Sequence, residues 1–445
     1  MPYFSHAMPE PTSEPGNYSG SMSPALHRAL TTLEDSDFYA RWEAAKQITA
    51  CGVEAIDPLL HLLEDEPDEE LTWYIARILG TFDHPLALHG LIHLLHSDSQ
   101  DVAGMAAAAL ANFGVAAIPP LTNLLHQPQP RLLAIRALAQ IHHPDVVPFL
   151  VQLTADPLAD VRAMAIDALS RFNHSAAFSP TITEVFFAAL TDPESSVRRS
   201  AVSALGVQAQ SFNHSDFGSR ALNSRDLIEA LQPLLRDVDL EVCCQTALTL
   251  GRIGRPETIA PLNQALQSPT TPIPLQQAII RAIGWTGTLE AVNCLQHALL
   301  SDCLPQESQL EIVMVLGRLK AVEAREAATQ ILLSLLDRQH SLSQTSKGKQ
   351  TIVHSLGQLI ENSEGVISVN SESNVEKADQ MIDTLIPLLG DRDTGVQLHV
   401  VAALKDFDPH RVNLKLTTRM QDETISADLR EGIKTALVER TRSIG

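Results

Sequence analysis

Apolar positions along the chain recur at a spacing of four, and this frame returns about every thirty residues. The stretch Asp160 to Phe172 can be laid on Val197 to Gly206 and on Leu71 to Gly80. Further copies end in Leu250-Gly251, Ile283-Gly284, Leu316-Gly317 and Leu356-Gly357, and weaker ones end at Thr49, Ala111, Ala139, Lys405 and Val438. The anchor positions are 49, 80, 111, 139, 170, 206, 251, 284, 317, 357, 405 and 438, at intervals from 28 (111 to 139) to 48 (357 to 405). Ile or Leu stands before every anchor, and four residues earlier stands Ala, Ile, Val or Thr. That spacing is the buried stripe of a helix.

A second shared frame lies upstream of each copy. Ala55 to Leu63 matches Ala117 to Leu125 and Thr258 to Leu266, with Pro58, Pro120, Pro148 and Pro261 in the same early slot, where a helix gives up an amide donor without loss. Asp156-Pro157 and Asp192-Pro193 break one helix and begin the next. Two amphipathic helices per thirty residues predict an all-α fold, an α-solenoid of about twelve helical hairpins. Low aromatic content (4%) and 21 glycines agree with closely packed helices rather than hairpin-rich sheets.

Residue by residue, the Asp-Pro turn, Val161-Arg162 and Val197-Arg198 after it, and the closing Ala-Leu-Gly resemble the HEAT repeat. The resemblance covers roughly residues 24 to 445. Arg41 to Ala45, Trp73 to Gly80 and Glu241 to Leu248 are in addition similar to cyanobacterial proteins with phycobilisome-lyase-type HEAT-like repeats. Those relatives include subunits that attach or detach linear tetrapyrroles on phycobiliproteins and others with assembly or binding roles. The resemblance implies that the second helix of each hairpin lines a concave surface.

The expected organisation is a disordered tail over 1–23 and one solenoid over 24–445. Polar inserts interrupt it at 208–226, 339–349 and 361–379, where no apolar set is large enough for a core. The last copy, with Glu431, Lys434 and Glu439, reads as a polar terminal cap.

Charge narrows the functional classes. Against 32 bases the chain carries 53 acids, a net charge of −21, so neither nucleic acid nor an anionic membrane is an expected partner. No run of about 18 apolar residues marks a membrane span, and no signal-peptide pattern opens the chain. Cys51, Cys243, Cys244, Cys294 and Cys303 form no C-x-x-C pair, and their odd number fits a cytoplasmic protein. The adjacent Cys243 and Cys244 read as buried thiols on a helix.

No triad, phosphate loop or nucleophile elbow is present, so no catalytic residue is assigned. His89, His93 and His96, with His61 and His126 on neighbouring helices, could suit a metal by spacing. They lie opposite the apolar Leu88, Leu91, Ile92 and Leu95, however, and read as a solvated face, so neither a metal nor a cofactor is expected. His-Glu dipeptides, the ligand pairs of di-iron HEAT-repeat hydroxylases, do not occur.

The positions three and seven before each anchor remain as one exposed face. The column at minus three reads Lys46, Arg77, Ala108, Arg136, Asp167, Ser203, Leu248, Arg281, Met314 and His354, too broken for the basic groove of a HEAT-like DNA glycosylase. At minus seven stand Trp42 and Trp73, one turn from Lys46 and Arg77. Together with Tyr39 and Tyr74 they concentrate aromatics between residues 39 and 74, either as an end cap of the core or as a binding ledge. Tyr39, Trp42, Lys46, Trp73, Tyr74, Arg77 and Arg136 are the expected partner-binding residues. Arg162 and Arg198 are expected instead to pair with the Asp of the neighbouring turn. The function these features predict is a protein–protein interaction scaffold or assembly factor, with a phycobiliprotein or other assembly client as partner. The alternative is a phycobilin lyase or lyase subunit.

Overall fold

The computed structural model describes residues 22–65, 67–127, 130–172, 179–213, 224–301, 304–337, 340–361 and 372–444. Among these every regular element is helical. The chain divides into two units at Leu150/Val151. In the first, the second helices of the hairpins are Phe38–Cys51, Glu69–Leu79, Gln100–Ala111 and Arg131–Gln140. In the second they are Ala159–Leu169, Ser195–Asn213, Leu240–Ile253, Ile273–Trp285, Gln306–Gly317, Ser346–Glu361, Thr394–Lys405 and Ala427–Ile444. Each of the twelve sequence anchors falls in the last turns of a different one of these helices or caps it. Within each unit successive second helices pack on one another, and the first helices form the other layer of an α-solenoid.

The repeated apolar columns make the core. All twelve residues five before the anchors, from Ala44 to Ile433, are buried. Eleven of the twelve Ile or Leu residues before the anchors are buried too; Leu437, in the last copy, is only half-buried. The closing glycine has a steric cause. A Cβ on Gly251 would lie 2.5 Å from the Cα of Ala282 in the next second helix, so glycine lets the two backbones approach. The first helices that contain Pro58, Pro120, Pro148 and Pro261 begin as a short 3-10 turn and then carry that proline in their first turn.

Arginines tie the turns of successive repeats together. Arg162 Nη1 donates to the carbonyl oxygens of Asp156 and Pro157, while its Nε and Nη2 donate to Asp192 of the next turn at 2.8 and 2.7 Å. Arg198 repeats this geometry with Asp192 and Pro193 carbonyls and the Asp237 carboxylate. In the first unit Arg41 pairs with Asp68 and donates to the Glu34 carbonyl. All three arginines stand eight residues before an anchor. Where that slot holds Cys243, Gln276, Gln309 or Gln397, a shorter donor still reaches a carbonyl of its own turn. The pairing expected for Arg162 and Arg198 is therefore observed.

The polar inserts are partly helical. Residues 208–213 continue Ser195–Asn213, and the buried Gln208 amide donates to the Thr183 hydroxyl at 2.7 Å. Residues 224–226 open Ser224–Leu231, 346–349 open Ser346–Glu361, and 372–379 belong to Glu372–Leu385. The rest of the first and third inserts (214–223, 362–371), Gln339, and 1–21 of the expected tail lie outside the described residues.

Candidate functional site

The first two second helices build an aromatic and cationic surface. Asp37 caps Phe38–Cys51, accepting from the Ala40 amide at 3.0 Å, and so sets Phe38 and Tyr39 in the first turn. Both rings face outward, with Tyr39 82% and Phe38 54% exposed. One turn on, the half-buried Trp42 stacks against Phe38, with ring centroids 6.5 Å apart and planes 24° from parallel. Asp68 caps the neighbouring helix Glu69–Leu79 through the Leu71 amide and at the same time receives Arg41. This double duty fixes the register of the two helices, and with it the placement of Trp73 and Arg77 beside Trp42.

Arg77 binds the two repeats through the ledge. Its guanidinium carbon lies 3.7 Å from the centroid of Trp42 and 5.9 Å from that of Trp73. A cation over an indole face is worth about 0.5–1 kcal/mol when exposed and more when desolvated. Its guanidinium pairs with no acid among the described residues.

The structure redistributes the expected site residues. Tyr39, Trp42, Trp73 and Arg77 come together. Tyr74 does not belong to the surface: it is completely buried, its hydroxyl donates to the Phe38 carbonyl at 3.1 Å, and burial pushes its phenol pKa up. Its place six before an anchor, next to Ile75, puts it beside the core column, so it props the ledge from beneath. Lys46 is exposed but pairs with Glu43 at 2.7 Å rather than with Trp42, because glutamate three residues away offers the stronger partner. Arg136 is exposed on a helix separated from the ledge by Gln100–Ala111. Phe38 is the residue that sequence reasoning missed; its signal was its place directly after the Asp37 cap and four before Trp42.

Elsewhere the candidate chemistry is compensated. In the second unit Arg199 pairs with Glu241, and Arg281 lies 3.7 Å from Glu311, one repeat away in each case. Asp167 reaches solvent, yet enough protein surrounds it that desolvation pushes its carboxyl up, against a hydrogen bond from Ser200 and the charges of Arg199 and Arg171. Burial likewise raises the thiols of Cys243 and Cys244, and that of Cys294 to about 11, which leaves them protonated and unreactive at neutral pH. Cys303 lies outside the described residues. His89 and His93 are exposed, His96 bonds Gln127 at 3.0 Å, and no group of three metal-ligating side chains occurs among the described residues. No described helix is long and apolar enough to cross a membrane.

Comparison with known proteins bears on the architecture. No curated protein sequence matches the chain. Among solved structures, one of Kap95p with RanGDP is similar at 15% identity and a TM-score of 0.50, over 94% of this chain and 57% of that one. The chain thus spans little more than half the length of that solenoid. An engineered protein is similar at 23% identity over 86% of this chain and 99% of its own, with a TM-score of 0.31. The family described as HEAT repeats matches at residues 23–111, 56–133, 118–206 and 183–279, together more than half of the sequence. With the repeated hairpins, the buried columns and the Asp-Pro turns, this match makes the chain a member of the HEAT-repeat family.

Proposed function

We propose that this protein is a non-enzymatic scaffold that holds a protein client on the ledge formed by Phe38, Tyr39, Trp42, Trp73 and Arg77. The observation that carries the reading is the Arg77 guanidinium laid over Trp42 beside two exposed rings. An end cap has no use for rings turned to solvent, whereas Trp, Tyr and Arg are the residue types that dominate interface energetics. An arginine in an acidic protein also offers a paired donor fork to a client carboxylate. The similar Kap95p solenoid binds a protein, RanGDP, by its description, which supports a protein client here. We place the work in the cytoplasm, in keeping with thiols that remain free.

The client, a phycobiliprotein or another assembly intermediate, is identified by purifying the tagged full chain from its host beside an Arg77→Glu, Tyr39→Ser variant. A set of proteins retained by the first and lost from the second is expected. Equal recovery on both would overturn the ledge. Addition of phycocyanobilin tests the lyase alternative, for which a red-shifted complex and transfer to an apo-phycobiliprotein are the required results.

A further inference from the structure

A second surface lies on the edge where second helices of the second unit end. Leu240–Ile253, Ile273–Trp285 and Gln306–Gly317 are held close at their last turns, where Gly251 faces Ala282 and Gly284 faces Val315. The residue after each closing glycine is Arg252, Trp285 and Arg318, one per repeat. Trp285 is 50% exposed, and the Arg252 guanidinium lies 5.9 Å from its ring. Arg255 and Lys320 follow in the adjoining turns, and both are exposed. Among the described residues the side chains of Arg252, Arg255, Arg318 and Lys320 make no hydrogen bond or ion pair, although acids outnumber bases 53 to 32 in the chain. The acids of the same edge, Glu257, Glu290 and Glu323, stand in the first turns of the elements that follow, where the helix dipole favours them.

A helix C-terminus accounts for cations at Arg252 and Arg318. It does not account for a large indole held half out of water between them. We infer that this edge is a docking site for an extended acidic peptide segment of a partner protein, with an apolar side chain laid on Trp285 between carboxylates paired to Arg252 and Arg318. Neighbouring helix axes lie about 8–10 Å apart, so the two arginines are roughly 16–20 Å from one another. A polyproline II chain rises about 3.1 Å per residue and covers that distance in about six, and with three residues per turn its positions i, i+3 and i+6 share one face. The matching segment carries acids six positions apart with an apolar residue midway. The inference does not depend on the ledge at Trp42 and Trp73.

Three tryptophans give three indole N–H signals in a nitrogen-15 spectrum of the full chain, assignable by replacing each with Phe. The probe is the capped peptide Glu-Ser-Ser-Leu-Ser-Ser-Glu. It should move the Trp285 signal saturably, leave those of Trp42 and Trp73 in place, and act more weakly as salt rises. Affinity should fall about tenfold or more in the Arg252→Glu, Arg318→Glu variant. An unmoved Trp285 signal would overturn the site, as would an equal response to the same peptide with Lys at both ends. A single-stranded oligonucleotide acting at lower concentration than the peptide would assign the edge to nucleic acid instead and overturn the inference. Movement confined to Trp42 or Trp73 would leave the ledge standing and remove this site.

Discussion

Arg198 holds Asp237 by two hydrogen bonds of 2.8 and 2.6 Å across 39 positions of sequence, and both side chains are more than nine-tenths removed from solvent. The same guanidinium closes its own turn through the Asp192 and Pro193 carbonyls. One side chain therefore fixes both the turn it follows and the register of the next hairpin. Removing it strands a carboxylate in a dry place, which costs about 3–5 kcal/mol. Arg198→Ala should lower urea stability by that order, and Asp237→Ala similarly. The double variant should lose less than the sum, since the interaction is counted twice otherwise. A loss below about 0.5 kcal/mol in both single variants would show that the turn ladder does not bear on stability.

The same pairs set a pH dependence. The hydrogen bond from Arg41, aided by the Leu71 amide, holds the Asp68 carboxyl below its ordinary value. Burial alone would raise Asp192 and Asp237, but the hydrogen bonds from Arg162 and Arg198 bring both below it. A carboxyl depressed in the folded state contributes stability above its unfolded value, near about 3.9, and loses it as pH falls through the lower folded value. Unfolding should set in below about pH 4, with a shallower dependence in Asp68→Asn. Asp167 has the opposite sign, since its raised carboxyl favours folding at low pH and loses that contribution as pH rises. Asp167→Asn should therefore melt no lower than the parent at pH 7; a markedly lower melting point would refute this sign.

Two glycines should respond in opposite directions to the same change. At Gly251 an added Cβ meets the Ala282 backbone at 2.5 Å, so Gly251→Ala must push two second helices apart and should destabilise by about 1–3 kcal/mol. Gly104 sits inside the helix Gln100–Ala111 with nothing near its missing Cβ. There Ala should stabilise by about 0.5–1 kcal/mol, the helix-propensity difference. Melting curves of the two variants check both signs, and a stabilised Gly251→Ala would refute the close approach.

The twelve-fold frame was legible because every hairpin repeats the same burial. Ala44, Ile75 and Ala106 of the first unit, like Ala165 and Ala201 of the second, occupy one column in sequence and are buried. Arg162 and Arg198 were legible for the same reason, each meeting an Asp one repeat on. The ledge was harder to read, because its contacts break the repeat. Arg77 leaves the turn below it, where Trp73 stands on its own helix, to lie over Trp42 of the neighbouring helix, and helical spacing counts only partners within one helix. Tyr74 shows the other limit. An amphipathic ring beside Trp73 looks like surface in sequence, and only the packing of its hydroxyl on the Phe38 carbonyl reveals that it is core.

That difference between Tyr74 and its neighbours separates support from contact. Tyr74→Ala removes a fully buried ring and should cost about 3–5 kcal/mol, with client binding lost as a consequence of local unfolding. Tyr39→Ser changes a ring that is 82% exposed and should leave melting within about 0.5 kcal/mol of the parent while weakening client capture. Arg77→Glu should likewise retain the fold, at the cost of its cation–π contacts with Trp42 and Trp73, and should abolish capture of an acidic client with an effect that shrinks as salt rises. Lys46→Glu is the control: its ammonium is already neutralised by Glu43, so reversal should affect capture far less than at Arg77. Melting temperature and client retention, measured on the same four variants, give the decision. If Tyr39→Ser and Arg77→Glu lose stability as Tyr74→Ala does, the aromatics close the end of the core and the client site lies elsewhere on the solenoid.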